Sequence, residues 1–202
     1  SDPLALTGYV IGNPGEGFFG APFEKPKRTY RELEFTVQKA LRNNWQLYSS
    51  FVYASAKGNH EGLYMSGYDQ LDPNITALYD IPSFLPNSDG KLRADKPYQF
   101  KVFTGYTFDW GLTLSEGFSI SAGVPVSAQG PEIVNGYGDG TIFLQERGSQ
   151  GRTPAYWNVD FHADYRLPLA RLGAGRNISV ILDVFNLFNS NETLEEDQDY
   201  TY

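Results

Sequence analysis

Taken two at a time, residues 155–166 (AYWNVDFHADYR) separate into two sets. Trp157, Val159, Phe161, Ala163 and Tyr165 are apolar or aromatic, whereas Asn158, Asp160, His162, Asp164 and Arg166 are polar or charged. Successive side chains of a strand point to opposite faces, so the pattern predicts a strand with one greasy and one wet face. A greasy face that begins and ends on aromatics with a polar atom suits a strand crossing a bilayer, with ring girdles at the interfaces and a polar lumen behind. It equally suits a β-sandwich strand that looks into a core.

The same period recurs at 29–41, 45–56, 98–108, 112–122 and 177–188. Leu33, Phe35 and Val37 share one face of the first, and Trp45, Leu47, Phe51 and Tyr53 one face of the second. Tyr98, Phe100, Val102, Tyr106 and Phe108 follow, then Leu112, Leu114, Phe118 and Ile120, then Ile178, Val180, Leu182 and Val184. Helix-forming residues in 31–41 compete with the first strand, but the period of two matches better. Glu116 falls on the apolar face of its strand, where a carboxylate facing lipid is costly; a bulge or register change near Gly117 would move it.

The connections decide between core and lipid. Residues 42–44 and 109–111 are short turns, 57–96 and 123–154 are long, 167–175 is of medium length and the tail is long. Outer-membrane barrels keep short turns on the periplasmic side and long loops outside, whereas a sandwich has no reason to collect its short turns at one end. Trp45 and Trp110 both adjoin short turns and are expected at the periplasmic interface, with Tyr53, Tyr98 and Trp157 at the outer one. Strands of about 11–13 residues exceed the usual soluble length and match a tilted spanning strand. The expected class is all-β: an antiparallel transmembrane β-barrel segment of about six strands with long extracellular loops. Trp157, Val159, Phe161, Ala163 and Tyr165 would then face lipid, and Asn158, Asp160, His162, Asp164 and Arg166 would line the lumen.

Composition agrees. Fourteen Tyr, 14 Phe and 3 Trp, with 21 Gly and 12 Pro, favour an all-β chain with long connections over a helical one. A net charge of −8 argues against a nucleic-acid partner, which wants a basic stripe. With no cysteine there is neither a disulfide nor a thiolate metal site. No apolar run approaches a spanning helix; the longest, near 178–185, is broken by Asp183.

Candidate chemistry is sparse. His60 and His162 are the two histidines, and His162 stands between Asp160 and Asp164 with one imidazole to offer, which reads as a solvated wall rather than a zinc site. Neither a G-x-S-x-G nor a P-loop occurs, so no catalytic residue and no cofactor are expected. Asp69, Asp72, Asn74 and Asp80 in the first long loop offer oxygen ligands for calcium, but EF-hand spacing is absent and these residues also favour turns. The acidic run 192–199 reads as a solvated, exposed loop. Tyr64, Tyr68, Tyr79, Phe84, Tyr137 and Phe143 either grip a solute or pack the loops together, and the sequence leaves both open. Arg147 and Arg152, flanking RGSQGR, are expected to pair with acidic loop residues and hold the outer loops together.

Five segments in fixed order carry a family resemblance: 28–34 (RTYRELE), 71–80 (LDPNITALYD), 92–101 (LRADKPYQFK), 146–154 (ERGSQGRTP) and 182–189 (LDVFNLFN). Together they resemble the C-terminal part of the barrel of Oar-like TonB-dependent receptors, outer-membrane proteins with an N-terminal carboxypeptidase-regulatory-like domain. The resemblance covers most of residues 28–190. DVFNLFN is shared by many TonB-dependent receptors, and the RGS-x-GRTP and DPN segments narrow it. It implies a barrel of about 22 strands around a plug that opens when TonB pulls on an N-terminal box. Residues 1–202 would form part of that barrel domain. They contain no plug and no TonB box and are too few strands to close, so they are expected to be a piece of a longer chain. The implied partners are the remainder of its own barrel and plug, the TonB complex through an N-terminal region outside these residues, outer-membrane lipid and an unknown solute. That solute would be large or peptide-like, imported or exported. The implied location is the outer membrane of a Gram-negative-type bacterium, crossed many times. Two other expectations stand beside it: an outer-membrane or cell-surface adhesion or structural β-barrel, and a soluble carbohydrate-binding β-sandwich.

Overall fold

In a computed structural model, residues 24–64, 72, 78–131, 141–167 and 178–200 are described. Among the described residues, nine strands run in chain order: β1 Arg28–Arg42, β2 Trp45–Gly58, β3 Gly90–Lys91, β4 Tyr98–Thr107, β5 Leu112–Ser121, β6 Gln129–Pro131, β7 Thr141–Phe143, β8 Tyr156–Leu167 and β9 Ile178–Val184. A 3₁₀ turn spans Pro82–Phe84. The period of two in 31–41 prevails over the helical propensity of its residues, and β1 is the longest strand.

The long strands pair as an antiparallel meander in the order β1-β2-β4-β5-β8-β9, with β3 added beside β2. β1 and β2 are joined by the two residues Asn43 and Asn44, both at positive φ (53° and 64°). Two-residue hairpins need this conformation to match the strand twist, and asparagine tolerates it. β1 and β9 each pair on one side, so the sheet is open among the described residues.

Register carries the apolar positions into rows that cross the sheet. Phe35, Phe51, Phe100, Ile120 and Trp157 form one row, and Val37, Ser49, Val102, Phe118 and Val159 the next. Trp157, Val159, Phe161, Ala163 and Tyr165 therefore share one face of the sheet with the apolar positions of the other strands. The opposite face holds Gln46, Ser115, His162 and Asp183 in one row and Gln38, Tyr48, Phe103 and Asp160 in another.

Three expectations are corrected. The β4–β5 and β5–β8 registers run without a shift, so no bulge near Gly117 relocates Glu116, which stays exposed on the apolar face beside Thr104 and Phe161. The last strand ends at Val184 rather than at 188. Asn186 and Asn189 take positive φ, the Asn186 N–H donates to Asp160 Oδ1 (2.9 Å) and the Leu187 N–H donates to the Val159 carbonyl (2.8 Å). The phenylalanines of the FNLFN stretch thus belong to a turn held on β8, with Phe188 against Trp157 at 6.0 Å between ring centroids. Finally, the long connections are not bare loops but contain β3, the 3₁₀ turn and the β6–β7 hairpin.

The fully buried large side chains, Phe84, Leu92 and Asn59, lie in the connections and not in the sheet. Leu78, Ile81, Phe84 and Phe143 form the hydrophobic cluster. The β6–β7 hairpin packs on the 3₁₀ turn, and among the described residues no second sheet is layered on the apolar face of the first.

Candidate functional site

The loop end of the sheet is where charged and aromatic residues converge. Glu61 lies at its centre. Its Oε1 accepts from Arg147 Nη2 at 2.6 Å and from the Arg93 N–H at 3.1 Å, while its carbonyl accepts from Arg28 Nη1 at 2.7 Å. The Arg147 side chain is 4% exposed, so this is a buried ion pair, and its guanidinium also lies 4.9 Å from the Phe143 ring. Arg152 forms a second pair with the buried Asp95, whose other oxygen accepts from the Ala56 N–H at 2.6 Å. These pairs tie the first long connection and β2 to the second. Arg147 and Arg152 were expected to pair with acidic loop residues, and Glu61 and Asp95 are those residues.

The aromatics of this end divide. Phe84 and Phe143 are buried and Tyr79 is half-buried, so they pack the loops; Tyr64 is half exposed and lines an open cleft. Tyr68 and Tyr137 lie outside the described residues. The Tyr79 ring stands edge-on to His60 at 5.7 Å. Burial pushes the Tyr79 hydroxyl up to about 12. Burial, reinforced by Arg147 and Arg28 and opposed by Glu61, holds His60 below its ordinary value.

The cleft occupies about 640 Å³ between the loops and the ends of β5 and β8. Arg28, Arg93 and Lys96 bring cations to it, and Tyr64, Tyr156 and Leu194 bring rings and an aliphatic surface. Arg93 reaches Glu195 in the tail at 2.8 Å. The Ser127 N–H donates to Gln198 Oε1 (2.7 Å) and the Gln129 N–H to the Gln198 carbonyl (3.0 Å). The acidic tail, expected to be a solvated loop, is therefore docked along the second connection, although Glu195 and its acidic neighbours remain exposed.

On the wet face of the sheet, His162 Nδ1 lies 2.6 Å from Asp183 Oδ1, a partner from β9 that the neighbouring sequence did not suggest. Asn158 Nδ2 donates to Asp160 Oδ1 at 2.8 Å. Asp164 keeps one buried oxygen without a partner, and Arg166 is exposed. His162, Asp160 and Asp183 border a shallow trough of about 460 Å³ across this face. Among the described residues no three histidine or acidic side chains are grouped to hold a metal ion. Asp69 and Asn74 lie outside the described residues, and Asp72 and Asp80 are exposed, each already engaged in an interaction.

At the short-turn end, rings gather. Trp110 lies 5.6 Å from Phe108 and 5.7 Å from Tyr165, and Phe108 lies 4.9 Å from Tyr106. Trp45 donates from Nε1 to Thr104 Oγ1 at 2.9 Å and carries Lys39 Nζ over its ring at 4.7 Å. Both tryptophans are well exposed, at 40% and 60%.

What sequence reasoning missed is Glu61, Asp95, Asn59, Arg28 and Lys96. Isolated polar and charged residues in loops or at a strand end carry no periodic signal, and their roles arise from segments that meet only in space. The Arg147–Glu61 bond, for example, joins residues 86 apart.

No family model matches the chain, and no solved structure does. The chain is 32% identical over 199 residues to the TonB-dependent transporter Oar of Myxococcus xanthus, an alignment covering 96% of this chain and 18% of that protein. Along nearly its whole length, then, this chain is similar to a part of a TonB-dependent transporter, of which it spans less than a fifth.

Proposed function

We propose that these residues form part of the wall and the outer loops of an outer-membrane TonB-dependent transporter that moves a large or peptide-like solute. The observation that carries this reading is the continuous apolar face of the six long strands, which has no second sheet over it among the described residues, although Val159 is buried where the turn after β9 lies against β8. Leu33, Phe35, Tyr53 and Val180 on that face are about 60% exposed. A patch of this extent marks contact with a membrane or another protein. In this reading Trp157, Val159, Phe161, Ala163 and Tyr165 face lipid. Asn158, Asp160, His162, Asp164 and Arg166 line the lumen, and Trp45 and Trp110 sit at the periplasmic interface. The similarity to a TonB-dependent transporter and the collection of long loops at one end both support it.

The remaining strands of the barrel, the plug and the TonB contact would come from the rest of the protein. Its task is binding and passage rather than catalysis: outer loops capture the solute, and displacement of the plug opens the way. A soluble sandwich would need a second sheet over Phe35, Phe100 and Phe161, and none of the described residues supplies it.

The chain contains no cysteine, which permits a direct test. Single cysteines are placed along β8 of the full-length protein in native outer membranes and treated with a membrane-impermeant maleimide. Cysteines at 158, 160 and 162 are expected to react after the outer membrane is opened, whereas those at 157, 159 and 161 stay protected until detergent is added. Equal reactivity of the two sets in intact membrane would overturn the reading.

A further inference from the structure

We infer that the cleft at the loop end binds peptide segments through a carboxylate, with Lys96 and Arg28 as the cations that recognise it. This inference rests on the reading that these loops meet the solute. It comes from the disposition of charge around the cleft. The chain as a whole carries a net charge of −8. The acids nearest the cleft are nevertheless already committed. The Glu61 carboxylate is taken by the buried Arg147 and by the Arg93 N–H, and the Asp95 carboxylate by Arg152 and the Ala56 N–H. Arg93 has its own partner in Glu195. Among the described residues, Arg28 makes one side-chain bond, to a neutral carbonyl, and Lys96 has no side-chain partner. Among the described residues, the cleft thus has two cations with no carboxylate paired to them, in an otherwise acidic molecule.

Its other walls suit the rest of such a ligand. Tyr64 and Tyr156 present rings, with Leu194 as an aliphatic floor. A space of about 640 Å³ holds a few residues rather than an inorganic ion. Carboxylates are favoured over neutral groups by charge-assisted hydrogen bonds from arginine and lysine, and cations at the mouth of a cleft raise the capture rate of anionic ligands. Glu61 and Asp95 hold the loops through buried pairs, and the Glu61 carbonyl holds the Arg28 guanidinium, so the backbone that carries both cations is set without a ligand to organise it.

The test uses the full-length protein in detergent micelles and three dansylated probes. These are Phe-Phe-Asp with a free C-terminus, the same peptide amidated, and amidated Phe-Phe-Asn. The acidic probes are expected to bind at least about tenfold more tightly than the neutral one, with an advantage that shrinks as salt is raised. The amidated Asp probe tells whether a side-chain carboxylate suffices or the terminal one is required. Lys96→Gln, at a partly exposed position outside the buried pairs, should abolish most of that preference, read as the ratio of acidic-probe to neutral-probe affinity. Equal binding of acidic and neutral probes, no binding of either acidic probe, or an unchanged preference in Lys96→Gln would each overturn the inference. The maleimide labelling along β8 reports separately on the transporter reading, so either can fail while the other stands.

Discussion

The sheet and the loops that join its strands invert the usual relation between regular structure and core. The six long strands pair into one sheet with β1 and β9 at its edges, yet Phe35 is 63% exposed and Val37 60%. The connections hold little regular structure, yet they enclose Phe84 at 0% and Leu92 at 1% exposure and the Arg147–Glu61 and Arg152–Asp95 pairs. The difference shows where each region finds its stability. The loops bury their apolar groups against one another and satisfy their backbone through bonds such as Lys91 N–H to the Arg147 carbonyl (3.2 Å) and Thr153 N–H to the Val124 carbonyl (3.0 Å). The sheet satisfies its backbone through the ladder except along the outer edges of β1 and β9, and it leaves one face unsolved, so its surroundings must supply what a second layer supplies in a sandwich.

Substitutions that strike the two regions differently test this contrast. The largest effect is expected inside the loop knot. Phe84→Ala empties a fully buried site and should cost about 3–5 kcal/mol. Arg147→Ala strands the Glu61 carboxylate and should cost about the same, and the two-residue replacement of both partners by apolar residues should cost less. Limited proteolysis of the full-length protein in membranes should then show cleavage within the connections while the strands stay protected. Loss of the whole sheet instead would mean that knot and sheet are not separable.

The next effect belongs to the sheet. Val102→Arg, in the middle of β4 on the apolar face, should cost about 2–4 kcal/mol in lipid vesicles, read as a lower urea midpoint. Conversely, Glu116→Leu should stabilise the protein by up to about 1 kcal/mol, because it removes the one carboxylate from the rows of that face among the described residues. If Val102→Arg is tolerated, the face meets water or a polar partner rather than lipid.

The smallest effect is a pH dependence confined to the knot. His60 is held below its ordinary 6.5 by burial first, then by Arg147 and Arg28. A base whose folded value is lowered contributes stability that is full above the unfolded value and is lost as pH falls from 6.5 through the folded one. Proteolysis of the connections should therefore speed up between about pH 7.5 and about pH 5, and His60→Gln should remove that acceleration. A wild-type rate that does not change over this range would show that His60 does not couple to loop packing.

Much of this was legible in the residues. Period-two alternation located the six long strands to within a few residues at most ends. The short turns pointed to the hairpin at Asn43–Asn44, and the assignment of Arg147 and Arg152 to acidic loop partners followed from their charge. The end of β9 was missed because 185–188 continues the apolar run, and only the Asn186 bond to Asp160 shows that the chain has turned. Glu116 was legible as a conflict but not in its outcome, since a bulge depends on the pairing of both neighbours. The cleft was not legible at all: Arg28, Lys96 and Tyr156 stand on separate segments, and none has a pattern around it.

The sequence by itself determined which side chains share a face, because alternation along a strand is local and set by backbone geometry. It likewise determined that the short and long connections fall at opposite ends, because an antiparallel meander reverses direction at each turn. Only the tertiary structure decided that the large buried side chains lie in the loops, that Glu61 and Asp95 are the acids paired with arginines, and that Lys96 and Arg28 stand beside the same cleft with no carboxylate partner among the described residues. Those facts depend on which distant segments meet and on how many donors each carboxylate already accepts. No spacing along the chain records that competition.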